Sequence, residues 1–170
     1  AKSGASFRDA DTLWVSTDFG GGSLTTSGYP RVVKLWKRGT PLADAKTVFE
    51  GRREDVAVGA GSIFKPEGRY DIVGVSNTFF TSKTYVVLGD RLVHVPIPDD
   101  ASFQGIFRDH ILFSLRTDWK AGGVAYRQGA LLAARLDDIL QDLNVFTVLF
   151  EPTERSSLDG VATTRDRLLV

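Results

Sequence analysis

Cysteine and methionine are absent from this chain of 170 residues, and histidine occurs only twice. The absence of cysteine excludes disulfides, a thiolate nucleophile and metal sites with cysteine ligands. No apolar run approaches the roughly 20 residues of a transmembrane helix, so no membrane partner is expected. The N-terminus lacks the apolar stretch of a secretory signal. These absences exclude several kinds of catalytic and metal site, but they do not determine the cellular compartment of the protein.

A net charge is also missing, because 21 basic residues balance 21 acidic ones. Nucleic-acid-binding domains usually carry a clustered basic excess, so no nucleic-acid partner is expected. Lys34, Lys37 and Arg38 do flank Trp36, but alternation along one strand equally gives a solvated sheet face. With 42% apolar and 25% charged residues, the composition is that of a folded domain and excludes a disordered chain.

Strand-forming sequence dominates the chain. Short apolar or alternating runs recur with turn residues between them, which indicates an all-β fold. Helical sequence is confined to residues 40–45, where a proline follows a threonine cap, and to residues 136–143. Neither predicted helix is long enough to cover a sheet.

An internal repeat refines this prediction. Residues 7–19 read FRDADTLWVSTDF and residues 107–119 read FRDHILFSLRTDW, with a third copy at 164–170 and a weaker one at 68–73. Each copy places a polar turn containing aspartate between two apolar runs, as a tight hairpin does. Four short strands repeating every 40–50 residues or so are typical of a β-propeller blade.

We therefore predict one partial propeller domain over residues 1–170, made of about three and a half four-stranded blades. The predicted blades span 6–51, 55–98 and 102–152, and the first hairpin of a fourth spans 156–170. Propellers close with four to eight blades, so we expect an unclosed piece of a larger propeller. The missing initiator methionine agrees with this expectation. A lipocalin-like barrel or a sandwich has similar strands but does not explain the repeat.

Several segments are specific enough to indicate a family: SGYPRVVKLWKRGTPL at 27–42, VFEG at 48–51, GALLA at 129–133 and VLFEPT at 148–153. Together they resemble the propeller of bacterial members of the prolyl oligopeptidase family of serine peptidases, over essentially the whole chain. The resemblance implies a seven-bladed propeller joined to an α/β-hydrolase domain that carries the catalytic Ser, Asp and His. It also implies a longer parent hydrolase, cytoplasmic or periplasmic, that cleaves short peptides.

No catalytic residue is expected in this segment itself. The Gly-x-Ser-x-Gly of a nucleophile elbow is absent, and neither His94 nor His110 has the sequence context of a triad base. The acidic pairs at 99–100 and 137–138 are interpreted as a loop and a helix start, so no metal or other cofactor is expected. The implied partners are a peptide substrate and the α/β-hydrolase domain of the same parent chain.

Two loops and three aromatic residues are candidates for lining or gating the substrate cleft. The Gly-rich stretch at 20–23 lacks the lysine of a phosphate-binding loop, so we predict a long flexible connection between second and third strands. The resemblance implies a mobile loop beside the cleft here, so residues 19–28 are expected to gate substrate entry, together with a counterpart at 119–128 on the same face. The candidate residues are Trp14, Phe19, Gly21, Gly22 and Trp119, with packing between blades as the alternative for the three aromatics.

Two other functions remain open at this point: a non-enzymatic propeller scaffold that binds protein partners, and a self-contained ligand-binding barrel. A Gly-x-Ser-x-Gly downstream of Val170 would favour the peptidase over the scaffold. A slice between blades exposes apolar faces and unpaired strand edges. The isolated chain is therefore expected to self-associate.

Overall fold

The computed structural model of the chain describes residues 2–141 and 143–170. No helix within these residues is long and apolar enough to cross a membrane. Contacts divide the chain into two compact units, which are described separately. Unit 1 comprises Ala1–Phe64 with Gly68–His94, and unit 2 comprises Lys65–Glu67 with Val95–Val170.

Two four-stranded antiparallel sheets make up unit 1, and each strand pairs with the next one along the chain. Sheet 1 contains β1 (Gly4–Phe7), β2 (Thr12–Ser16), β3 (Val32–Lys37) and β4 (Lys46–Glu50). Sheet 2 contains β5 (Ala57–Lys65), β6 (Gly68–Ser76), β7 (Ser82–Leu88) and β8 (Arg91–His94). A single 3-10 turn at Leu42–Asp44 takes the place of the helix predicted at 40–45.

A third four-stranded antiparallel sheet lies in unit 2 and carries two inserted or appended hairpins. Sheet 3 contains β9 (Ser102–Phe107), β10 (His110–Ser114), β13 (Leu131–Arg135) and β14 (Thr147–Phe150). The hairpin between β10 and β13 consists of β11 (Trp119–Ala121) and β12 (Val124–Tyr126), and the C-terminal hairpin consists of β15 (Ala162–Thr163) and β16 (Leu168–Leu169). The short helix α1 (Leu136–Leu140) covers the first part of the helix predicted at 136–143.

The strand order of each sheet is the antiparallel meander of a propeller blade. Three such sheets and one further hairpin confirm the all-β blade fold that the repeat predicted. The described strands supply fewer blades than the four to eight with which a propeller closes. The division of residues 1–170 into blades of one partial domain stays a prediction.

The hairpin turns of the repeat lie where the sequence predicted them, with one exception. The Arg-Asp pairs at 8–9, 108–109 and 165–166 connect β1 to β2, β9 to β10 and β15 to β16. The weaker copy at 68–73 is different, because it lies inside β6. Pro66 and Glu67 form the turn before it, so this copy contributes strand residues instead.

Apolar side chains from both sheets form the core of unit 1. Trp14 and Val33 of sheet 1 pack with Val58, Val73 and Val75 of sheet 2. Val73 and Val75 are two residues apart on β6, and Val33 is two residues from Leu35, which lies opposite Trp14. This spacing places the core residues of each sheet on one of its faces. The two sheets therefore pack face to face, as neighbouring blades do.

A buried carboxylate, Asp71 on β6, joins the two sheets beside this core and is only 5% exposed. Its Oδ2 accepts a hydrogen bond from Arg8 Nε at 2.8 Å, and Arg69 Nε lies 3.1 Å from its Oδ1. Ser62 Oγ also donates to Oδ1 at 2.6 Å, and it accepts from Trp14 Nε1 at 2.8 Å. Arg8 and Trp14 belong to the first sheet and its hairpin turn, so one carboxylate links the two sheets.

Removing this carboxylate is expected to destabilise the chain strongly. Asp71→Ala leaves the guanidinium groups of Arg8 and Arg69 with only the more distant and more exposed carboxylate of Asp9. Breaking a buried pair in this way costs about 3 kcal/mol of unfolding free energy. Asp90→Ala is the matched control, because Asp90 is 90% exposed and its partner Lys46 is 69% exposed.

Urea unfolding followed by circular dichroism measures both variants. The expected result is a large fall in the midpoint for Asp71→Ala and no resolvable change for Asp90→Ala. Equal midpoints in the two variants would show that the buried carboxylate does not hold the sheets together.

Candidate functional site

Three connecting segments meet at one end of unit 1, which we name the loop end. They are the β2–β3 loop (17–31), the connection between sheets 1 and 2 (51–56) and the β6–β7 turn (77–81). Backbone hydrogen bonds tie them together: Thr26 N donates to Arg53 O at 2.8 Å, and Val56 N donates to Ser76 O at 2.8 Å. Within unit 1, the loops between the second and third strands of both sheets thus lie at the same end as the connection between the sheets.

A second buried carboxylate, Asp55, organises the loop end. Its Oδ2 accepts from Arg52 N at 2.7 Å, and its Oδ1 accepts from Asn77 Nδ2 at 2.8 Å. The preceding Gly51 makes room for this arrangement, because a Cβ there would lie 2.5 Å from Val58 Cγ2 and 3.0 Å from Asp55 Oδ2. The β6–β7 turn is thereby anchored to the connection between the sheets.

The predicted gating loop has a hydrogen-bonded base and an exposed glycine tip. Ser23 is buried at the base, where its Oγ donates to Asp18 Oδ1 at 3.0 Å and accepts from Phe19 N at 2.8 Å. Thr25, also buried, donates from its Oγ1 to Val56 O at 3.1 Å. The flexible connection predicted from the sequence is therefore tied down on both sides of its tip.

Positive backbone angles explain why glycine occupies the tip. The φ values are 77° at Gly20, 55° at Gly21 and 82° at Gly22, a region that side chains with a Cβ rarely adopt. No atom lies within 4 Å of a Cβ built at any of the three positions. The tip consequently projects from the unit.

The two candidate aromatic residues of unit 1, Phe19 and Trp14, differ in burial and in contacts. Phe19 is half-buried, and Lys34 Nζ lies 4.5 Å from its ring centroid in a cation–π contact. Trp14 is only 2% exposed and packs in the core between the sheets. Its environment favours the packing alternative, and a role in lining a cleft stays a prediction.

The remaining candidate, Trp119, lies in unit 2 at the start of a β-hairpin rather than an irregular loop. Its half-buried ring contacts Phe146 at 4.7 Å, Tyr126 at 5.7 Å and Phe113 at 6.1 Å between centroids. Such aromatic contacts fix ring orientation as well as burying area. Because this hairpin and the loop at 19–28 belong to different units, their common face stays a prediction.

Two exposed aromatic residues at the loop end were missed by the sequence reasoning. Phe79 and Phe80, at the tip of the β6–β7 turn, are 89% and 76% exposed. The available signal was their position in Ser-Asn-Thr-Phe-Phe-Thr-Ser, a polar turn sequence interrupted by adjacent large apolar residues. Neighbouring residues of a short turn cannot both fold back onto a core.

No cluster of acidic and histidine side chains within residues 2–141 and 143–170 could hold a metal ion. His110 lies at the β9–β10 turn, with Nδ1 2.8 Å from Asp109 Oδ1 in a largely exposed pair. His94 ends β8, and its ring contacts that of Tyr85 at a tilt of 59°, with centroids 5.2 Å apart.

No family model matches the chain, but individual proteins do. An uncharacterised peptidase of Sinorhizobium fredii is 31% identical over 179 residues, covering 99% of this chain and 24% of the relative. An uncharacterised peptidase of Rickettsia prowazekii is 28% identical over 156 residues, covering 86% of this chain and 22% of the relative. The chain thus spans about a quarter of the length of these relatives.

A solved structure matches as well. A post-proline cleaving enzyme from Rickettsia typhi superposes on the chain with a TM-score of 0.86 at 26% sequence identity. The match covers 98% of this chain and 25% of that enzyme. These similarities confirm the resemblance found in the residues: the chain is similar to about a quarter of larger peptidases, as a propeller segment of the prolyl oligopeptidase family is expected to be.

Proposed function

We propose that this chain is the substrate-gating propeller segment of a longer serine endopeptidase that hydrolyses short peptides. The observation that carries the proposal is the superposition of 98% of the chain on a post-proline cleaving enzyme. In this proposal the nucleophilic serine lies in an α/β-hydrolase domain of the same longer protein, which transfers the peptide's acyl group to water. In this proposal the described residues control the access of substrate to the active site and supply no catalytic group.

The loop end of unit 1 supports the gating role, because its exposed glycine tip stands on a base that resists movement. Opening the whole loop would break the bond from the buried Thr25 hydroxyl to Val56 O, at about 1–3 kcal/mol. Within the loop, the Ser23 hydroxyl holds the base in shape through Asp18 and Phe19. The loop would therefore limit access as a fixed rim, with small motions confined to Gly20–Gly22. A rim of fixed width admits a short peptide and hinders the entry of a long peptide or a folded protein.

Phe19 and Trp119 are the side chains that we propose as apolar lining of the cleft. Each ring is half-buried and held by neighbours, Phe19 beneath Lys34 and Trp119 within its aromatic cluster. A ring fixed in this way contributes contact area at little cost in conformational entropy. Gly21 and Gly22 would border the opening with backbone alone, because they have no side chains to project into it.

Hydrolysis of fluorogenic peptides by the longer protein tests the proposal directly. We expect cleavage of a short proline-containing peptide, much slower cleavage of the same site within a long peptide, and loss of both after treatment with a serine-directed fluorophosphonate. Intact peptides of both lengths would contradict the peptidase function and favour the scaffold alternative. Equal rates for the two lengths would contradict gating alone.

Ser23→Ala in the longer protein is expected to relax this size selectivity. The change removes the hydroxyl that holds Asp18 and Phe19, and the loss of about 1 kcal/mol of local order corresponds to a roughly fivefold rise in the long-to-short ratio of kcat/KM. Hydrogen exchange is expected to show faster exchange at the Phe19 amide, whose acceptor is Ser23 Oγ.

The control is Ser3→Ala, which deletes an exposed hydroxyl bonded to Thr17 Oγ1 at 2.8 Å. It should leave both the selectivity and the Phe19 amide unchanged. Faster exchange at Phe19 without a change in selectivity would show that loop order does not control access.

A further inference from the structure

Phe79 and Phe80 form an exposed apolar pair that neither the core nor the proposed gate uses. Their side chains are 89% and 76% exposed on one short turn. Scattered exposed apolar residues are ordinary, but two adjacent phenylalanines at a turn tip form one protruding anchor. Aromatic anchors of this kind are concentrated at the energetic centres of protein interfaces.

The turn that carries the pair is preorganised by its own hydrogen bonds. Thr78 Oγ1 accepts from Phe80 N at 3.1 Å and from Thr81 N at 3.0 Å, and it lies 2.8 Å from Thr81 Oγ1. Asn77 N and Thr78 N both donate to Thr81 O. A rigid turn presents its side chains without the ordering cost that a flexible loop would have on binding.

The surroundings of the pair indicate what kind of surface it fits. Through Asn77 and Asp55 the turn is fixed to the connection that carries Arg52 and Arg53, both of which have exposed side chains. Glu54 follows them and is exposed as well. The loop end therefore presents the apolar pair together with two guanidinium groups and one carboxylate. A complementary surface has an apolar pocket with carboxylates at its rim.

The length of the relatives indicates that much of the protein able to carry such a surface lies outside this chain. This chain spans about a quarter of the matched peptidases, so three quarters of such a protein lie outside it. The pair lies at the same end of unit 1 as the proposed gating loop, which would face the peptidase domain. A patch at that end of a blade is in position to contact this domain.

We propose that Phe79 and Phe80 are the anchors by which the loop end of unit 1 docks onto the peptidase domain of the longer protein. The inference rests on the proposed function, because it requires that domain to face the loop end. It adds a fixed contact beside the gate, which sets the distance between the glycine tip and the peptidase domain.

Hydroxyl-radical footprinting of the longer protein tests the docking without requiring activity. Oxidation of each phenylalanine is measured by mass spectrometry in the native and the urea-denatured protein. We expect Phe79 and Phe80 to be oxidised roughly tenfold more slowly in the native protein, because anchors at an interface centre are desolvated. Native oxidation above about half the denatured rate, as their exposure in this structure implies, would overturn the proposal.

The same measurement separates docking from other occupants of the patch. Protection that appears only at high protein concentration would identify a second copy and overturn the proposal. Protection that appears only after a peptide is added would identify a substrate contact and overturn it equally. Protection that persists in a protein that cleaves no peptide would support docking while the proposed peptidase function fails.

Substitution of the pair gives an independent readout. The longer protein is expected to unfold in one calorimetric transition while its domains are docked. Phe79→Ser with Phe80→Ser is expected to separate this transition into two, because the domains lose their coupling. Phe64→Ser is the matched control. Phe64 is also exposed, but it lies near the end of β5 that is farther from the loop end. A single, unshifted transition in the double variant would contradict the proposal.

Discussion

The fold of unit 1 depends on how one buried negative charge is compensated. Asp71 lies between two packed sheets, where an unpaired carboxylate would be prohibitively costly. Arg8 reaches it from the first hairpin turn of sheet 1, and the Ser62 hydroxyl connects it to the Trp14 indole. The apolar core supplies attraction without direction, whereas the directional bonds of this network specify one relative position of the two sheets.

A second buried carboxylate performs the equivalent task at the loop end. Asp55 holds a backbone amide of the connection between sheets and the side chain of Asn77 on the β6–β7 turn. The loop proposed as the gate is bonded to the same connection through Thr25. The glycine tip and the Phe79–Phe80 pair are the exposed features of this end. Both are therefore carried by segments that the buried hydrogen bonds hold in place.

Sequence reasoning predicted the features that depend on local pattern and missed those that depend on packing. The repeated Phe-Arg-Asp turns and the blade fold follow from the spacing of turn residues, and the structure confirms both. The weak repeat at 68–73 was placed on a turn, yet its Arg69 and Asp71 lie in β6. The ion pair of Asp71 with Arg8 and the bond from Arg69 to Arg8 O form only when the two sheets pack together. No single stretch of sequence reveals that packing.

The central claim is that the loop end of unit 1 faces the catalytic domain of a longer peptidase and restricts access to it. The most direct measurement is a crystal structure of that longer protein with a phosphonate inhibitor bound to its catalytic serine. The account predicts that residues 19–28 border the path to the inhibitor and that Phe79 and Phe80 are buried against the catalytic domain. A structure in which the loop end faces bulk solvent would contradict it.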